Sequence, residues 1–331
     1  MNERQDGDFR RPHVVVIGGG TGLSVMLRGL KEQPLDITAI VTVSDDGGSS
    51  GRLRSDLQMP PPGDIRNVLV SLARTEPLLE QVLQYRFKNG EGLAGHTLGN
   101  LMLAAMKEIT GDFHEAIKGM SRVLAVRGQV LPASSQDVVL MAEMTDGTIV
   151  QGESQITKTD KKIHRVFLCP PQPKPLEEAI IAIHEADAIV VGPGSLYTSI
   201  LPNLLVKGMV DAIVTSPALK IFICNVMTQP GETDGYSASD HLDAIYNHIH
   251  QHIFDFVIVN EGIPPLGILK QYAKEGSVPV RPDLERLLSY GCELIVDNLL
   301  QYRSVLRHDA ARLSWHIMRL LRSKERCSTR G

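Results

Sequence analysis

The stretch His13-Val14-Val15-Val16-Ile17-Gly18-Gly19-Gly20-Thr21-Gly22 decides the fold. Val14 to Ile17 run apolar without alternation, as a parallel strand buried on both faces requires. Leu23, Met26, Leu27 and Leu30 then recur at helical spacing. Thr21 is placed to cap that helix. Ile37 to Val43 reads as a second strand, ended by Ser44-Asp45-Asp46-Gly47-Gly48. Strand, glycine turn, helix and strand in this order make a βαβ unit.

Working outward, Ile65 to Ala73, Pro77 to Phe87 and Thr97 to Ile109 carry helical patterns. Val123 to Leu131, Val138 to Met144, Thr148 to Gln151 and Ile163 to Cys169 read as short strands, a small β insertion around residues 120–170. Pro170 to Pro175 is a stiff connection. Leu176 to Glu185 is then a helix, and Ala188 to Val191 a strand. Gly192-Pro193-Gly194-Ser195 is a second glycine turn, with Leu196 to Val206 helical after it. Lys220 to Asn225, Phe256 to Asn260 and Glu293 to Val296 are further strands, and Asp309 to Ser323 is the closing helix. The expectation is an α/β fold: a doubly wound, mostly parallel sheet with helical and small β insertions. Residues 1–12 read as a tail, 13–325 as one domain and 326–331 as a second tail.

At 43% hydrophobic and 22% charged, the 331 residues suffice for a large core. A net charge of −4 argues against nucleic acid as a partner. Cys169, Cys224, Cys292 and Cys327 form no CxxC pair and read as buried thiols of a reducing compartment. The polar N-terminus has no signal-peptide core, and no apolar run reaches the roughly 20 residues that span a bilayer. A cytoplasmic protein is expected.

In a doubly wound sheet, ligands sit beyond the carboxyl ends of the strands. Gly18, Gly19, Gly20, Thr21 and Gly22 follow strand one, where a backbone free of Cβ atoms approaches a phosphate at a helix N-terminus. The dinucleotide fingerprint is incomplete, because Leu23 holds its third glycine position, which argues against an NAD-dependent oxidoreductase. Asp45 and Asp46 suit either a ribose hydroxyl or Mg2+ beside a diphosphate; a solvated turn is the plain alternative. Asp64 reads as a helix cap or a ligand contact, with Arg66 and Asn67 in the first turn behind it. His96 and Asn100 stand at another helix start. Gly192, Gly194 and Ser195 form a second candidate anion cradle, and Asn225 to Thr233, including Thr228, a candidate lid or specificity loop. Tyr272 is a candidate to stack on a base. His241, His248, His250 and His252 lack metal-ligand spacing and read as a solvated helix. No catalytic triad or zinc signature marks a nucleophile.

Taken in order, Val16 to Gly22, Val43 to Gly51, Gly63 to Asn67, Gly95 to Asn100, Gly192 to Ser195 and Asn225 to Thr233 resemble the CofD-like superfamily, and within it the YvcK branch of gluconeogenesis factors. That resemblance implies a Rossmann-like fold that binds UDP-sugars, notably UDP-N-acetylglucosamine. It implies a role in cell shape and cell-wall precursor supply during gluconeogenic growth. The transferase branch instead moves a phospholactate group with a nucleotide leaving group and Mg2+, in the loop that Asp45 and Asp46 match. The ligand expected is a nucleotide-sugar or dinucleotide, with Mg2+ as a companion. A homo-oligomer and a protein partner in cell-wall synthesis are left open.

Overall fold

Val14 and Val16 face one side of the first strand, Val15 and Ile17 the other, and all four are buried in two separate cores. A strand apolar on both faces needs a layer on each side, and that sets the architecture. The computed structural model describes residues 10–74, 76–302 and 305–328. β1 (His13–Gly18), α1 (Gly20–Leu30) and β2 (Asp36–Val41) form the opening unit. Five helices follow: α2 (Gly48–Leu57), α3 (Gly63–Leu72), α4 (Pro77–Gln84), α5 (Leu98–Thr110) and α6 (Phe113–Val123). Then come β3 (Gln129–Pro132), β4 (Val139–Met144), β5 (Ile149–Gln151), α7 (Glu153–Ile156) and β6 (Ile163–Cys169). α8 (Glu177–His184) and β7 (Ala188–Val191) lead to a π-helical turn (Leu196–Ile200), α9 (Leu201–Leu204) and α10 (Met209–Thr215). β8 (Leu219–Ile223), α11 (Ala238–Ile249), β9 (Phe256–Asn260), α12 (Leu266–Lys274), α13 (Leu284–Leu288) and β10 (Glu293–Asp297) complete the alternation. A hairpin of β11 (Leu300–Tyr302) and β12 (Leu306–His308) precedes α14 (Ala310–Ser328).

The main sheet has the order β10-β9-β8-β7-β1-β2-β3, and every pairing in it is parallel. The chain leaves β1 toward β2 on one side and later adds β7 on the other, so the order reverses at β1. That switch point places a crevice at the carboxyl end of β1. β4, β5 and β6 form a separate antiparallel sheet in the order β5-β4-β6. No single helix among the described residues is long and apolar enough to cross a membrane.

Several expectations need correction. Val123 to Leu131 is not one strand of the insertion. Asp112 caps α6 by accepting from Glu115 N–H, and the stripe Phe113, Ala116, Ile117 and Met120 buries that helix as far as Val123. Gln129–Pro132 then joins the main sheet beside β2. Gly48–Leu57 is a helix in a stretch to which the sequence pattern assigns no element, with Ser49, Ser50 and Leu53 buried. Thr21 does not cap α1: the helix begins at Gly20, its N-cap is Gly19, and Thr21 is exposed in the first turn. Leu196 to Val206 is a π-helical turn followed by the short α9. The closing helix runs to Ser328, past the start of the expected tail; residues 1–9 and 329–331 lie outside the described residues. Cys169 is exposed, whereas Cys224 and Cys292 are buried thiols; the side chain of Cys327 lies outside the description. α11 is no solvated helix, since His241 is buried and His248 is held by Ala244 O and Val166 N–H.

Candidate functional site

A cavity of about 490 Å3 opens at the switch point. Gly19, Gly20, Thr21, Gly22 and Val25 form one wall, Pro193 to Ser195 and Asn225 to Pro230 the next. Tyr272, Glu275, Ser277 and Val305 to His308 complete the lining. Its size and mixed lining suit a small organic ligand. Of the residues singled out in the sequence, Gly19 to Gly22, Gly194, Ser195, Asn225, Thr228 and Tyr272 meet here. Gly18 and Gly192 lie just behind the lining, and Asp45, Asp46, Asp64, Asn67, His96 and Asn100 are outside it.

The first glycine turn is built by close approach. A Cβ on Gly22 would stand 3.0 Å from Pro193 O, so the two glycine turns pack backbone against backbone. Gly20 has φ +67, in the left-handed region that favours glycine. α1 starts there with no side-chain cap on its N-cap residue, which leaves the N–H groups of Thr21 and Gly22, both in the cavity lining, as donors at the positive end of the helix.

The second turn differs. Gly194 N–H donates to Asn225 Oδ1 at 3.1 Å, and Asn225 Nδ2 donates to Gly194 O at 2.7 Å. Ser195 Oγ donates to Gln229 Oε1 at 2.6 Å. The buried Glu232 carboxylate accepts from Tyr197 N–H at 3.1 Å and Thr198 Oγ at 2.9 Å. The expected second cradle therefore has its acceptor already, in Glu232. Burial lifts the Glu232 carboxyl to about 7 against these hydrogen bonds. Thr228 pins the loop: its N–H donates to Val278 O at 2.7 Å, and its Oγ1 accepts from Val278 N–H at 2.9 Å. Tyr272 Oη accepts from Leu306 N–H at 2.8 Å, tying α12 to the hairpin.

Behind the first turn lies a group of acids. A Cβ on Gly19 would meet Asp64 Oδ2 at 2.5 Å. Asp64 does not cap α3, whose N-cap is Pro62; it faces Gly20 N–H instead. Burial, then the Asp45 charge, raise its carboxyl to about 7, partly offset by that N–H. Asp45 Oδ1 accepts from Gly47 N–H at 2.8 Å, whereas Asp46 Oδ1 accepts from Ser154 N–H at 2.7 Å in the insertion. Asp45 and Asp46 thus diverge, and the facing pair is Asp45 with Asp64. Glu153 is pushed to about 10 by burial and then by Asp64 and Asp45, and its Oε2 has no partner among the described residues. No set of three or more His, Cys, Asp or Glu among the described residues has metal-binding geometry. The oxygen-only pair Asp45 and Asp64 fits Mg2+ of the kind held by one or two carboxylates plus water and phosphate.

Asn67, His96 and Asn100 belong to a network that locks helices together. Arg66 donates to Thr97 Oγ1, Asn100 Oδ1 and Asn67 Oδ1, joining α3 to α5. Ser49 Oγ of α2 bonds His96 Nδ1 and accepts from Asn100 Nδ2, both at 3.0 Å. Burial lowers the pKa of His96. Sequence reasoning missed Glu275, Ser277, Arg307 and His308. Arg307 is exposed at the cavity and makes no ion pair among the described residues. Arg307 and His308 lie within the three-residue β12 of an antiparallel hairpin outside the main sheet, so the rule that ligands lie beyond the ends of parallel strands does not reach them.

A parallel doubly wound sheet with an uncapped glycine turn at its switch point defines a doubly wound α/β protein with a crevice of the kind in which such folds hold ligands. The family described as 2-phospho-L-lactate transferase CofD matches residues 14–300, and the chain belongs to that family. It is 59% identical over 312 residues to the gluconeogenesis factor of Halalkalibacterium halodurans, covering 94% of this chain and 97% of the relative. It is 54% identical to the gluconeogenesis factor of Bacillus subtilis, covering 95% and 99%. A crystal structure of a UPF0052 family member from Bacillus halodurans superposes with a TM-score of 0.91 at 57% identity, covering 94% of this chain and 99% of the other.

Proposed function

We propose that the chain binds a nucleotide-sugar of the UDP-N-acetylglucosamine kind. Its diphosphate lies on the N–H groups of the first glycine turn, and the bound chain acts as a cytoplasmic regulator of cell shape and cell-wall precursor supply under gluconeogenic growth. The observation that carries the reading is the uncapped start of α1 at a cavity that the exposed Arg307 also lines. The relatives' name, gluconeogenesis factor, supports the regulatory half. A thermal-shift screen of nucleotide-sugars tests it, because binding raises the melting temperature by mass action. UDP-N-acetylglucosamine should give the largest shift; no shift from any UDP-sugar at millimolar concentration would end the reading.

The acids behind the turn favour a second reading, a Mg2+-dependent phosphodiester transferase. Mg2+ would supply charge neutralisation at the diphosphate. Asp45 and Asp64 would hold it, and Asp46 would order the insertion. Release of a nucleoside monophosphate, lost in Asp45→Asn, would favour this reading over pure binding.

A further inference from the structure

We propose that His308 selects the ligand's base: its Nδ1 accepts a hydrogen bond from a ring N–H, so a lactam base such as uracil or guanine is taken and cytosine or adenine is refused. This rests on the reading of the cavity as a nucleotide site.

His308 is buried and lines the cavity. Its Nε2 lies 3.0 Å from Cys224 O. A carbonyl oxygen only accepts, so Nε2 carries the hydrogen. In a neutral ring Nδ1 is then a bare lone pair. Protonating Nδ1 would make a cation, and burial opposes that, holding the pKa at about 4. At pH 7 Nδ1 is an acceptor and nothing else. Nδ1 has no hydrogen-bond partner among the described residues and is not among the sealed polar atoms, which leaves it to the cavity. The ring is also held still: Cys224 O follows the inner strand β8, and the backbone runs from β12 into α14 on either side of it. Val226, Leu306 and Tyr272 line the same cavity and supply apolar and aromatic surface for a flat ring.

An acceptor fixed in this way rejects a ring nitrogen that is itself an acceptor. Uracil N3 and guanine N1 carry a hydrogen; cytosine N3 and adenine N1 do not. A buried acceptor facing a ligand acceptor loses water without gaining a bond, and sites built on such pairs discriminate strongly.

The test is calorimetric titration of the intact chain with UDP, CDP and N3-methyl-UDP, followed by GDP against ADP. CDP and N3-methyl-UDP should bind at least about tenfold more weakly than UDP. The purine pair shows which lactam ring the cavity takes. His308→Leu should bind UDP and CDP equally; should that variant not fold, the N3-methyl comparison on the unaltered chain decides alone. UDP, CDP and N3-methyl-UDP within threefold of one another would overturn the role of His308 while leaving the nucleotide site intact. Discrimination against 2′-deoxy-UDP without discrimination against N3-methyl-UDP would overturn it too, by moving the contact to the ribose. No binding of any nucleotide at millimolar concentration would remove the nucleotide reading itself.

Discussion

The two glycine turns stand side by side at the carboxyl end of the sheet, and they are not equivalent. Each follows a buried parallel strand, and each has a buried carboxyl raised to about 7 beside it, Asp64 at the first and Glu232 at the second. At the second turn the protein uses its own donors: Asn225 clasps the Gly194 peptide, and Glu232 takes Tyr197 N–H and Thr198 Oγ. At the first turn only Gly20 N–H faces a carboxyl, and α1 has no cap. Glycine makes a turn possible, but unpaired N–H groups make it an anion site. The second turn is thereby a brace for the first, with Pro193 O packed against Gly22.

The most damaging way to break this pairing is Gly22→Val. Its side chain drives into Pro193 O and across the donor face, so calorimetry should show no nucleotide binding. Denaturant unfolding should show a loss of ~1–3 kcal/mol from overpacking. Arg307→Ala removes a charge that pairs with no acid among the described residues. Nucleotide affinity should fall about tenfold to a hundredfold, with the unfolding midpoint unchanged. The acid at the first turn gives a pH signature. With EDTA present, a bound diphosphate favours neutral Asp64, so affinity should fall as pH rises through about 7. One coupled proton limits the slope to about tenfold per pH unit. Asp64→Asn should flatten that profile, and an unchanged profile would remove Asp64 from the site. Ser195→Ala should be nearly silent for ligand affinity, within about threefold, because its hydroxyl already serves Gln229. A large loss there would show that the second turn binds after all.

Much of the near wall was legible in the sequence, because β1 is an unbroken apolar run and α1 has a regular stripe of Leu23, Met26, Leu27 and Leu30, all fully buried. The rest of the lining was not. It comes from α12, in which no residue is fully buried, and from three-residue strands too short to show a period. Tyr272 alone was foreseen there, and its hydroxyl is already bonded to Leu306 N–H. Long-range pairings explain the other gaps. Asp46 looks like half of an acid pair until Ser154, far along the chain, draws it into the insertion. Ser195 and Gly194 look like free donors until Gln229 and Asn225 fold over them. α2 was hidden by glycine and serine, poor helix formers that are held here by burial of Ser49, Ser50 and Leu53.

The most direct test is a crystal structure of the chain soaked with UDP-N-acetylglucosamine. The diphosphate should accept hydrogen bonds from the N–H groups at Thr21 and Gly22, with Glu232 still bonded to Tyr197 and Thr198. A diphosphate seated on Gly194 to Tyr197 with Glu232 displaced, or a sugar nucleotide bound away from both turns, would contradict the account.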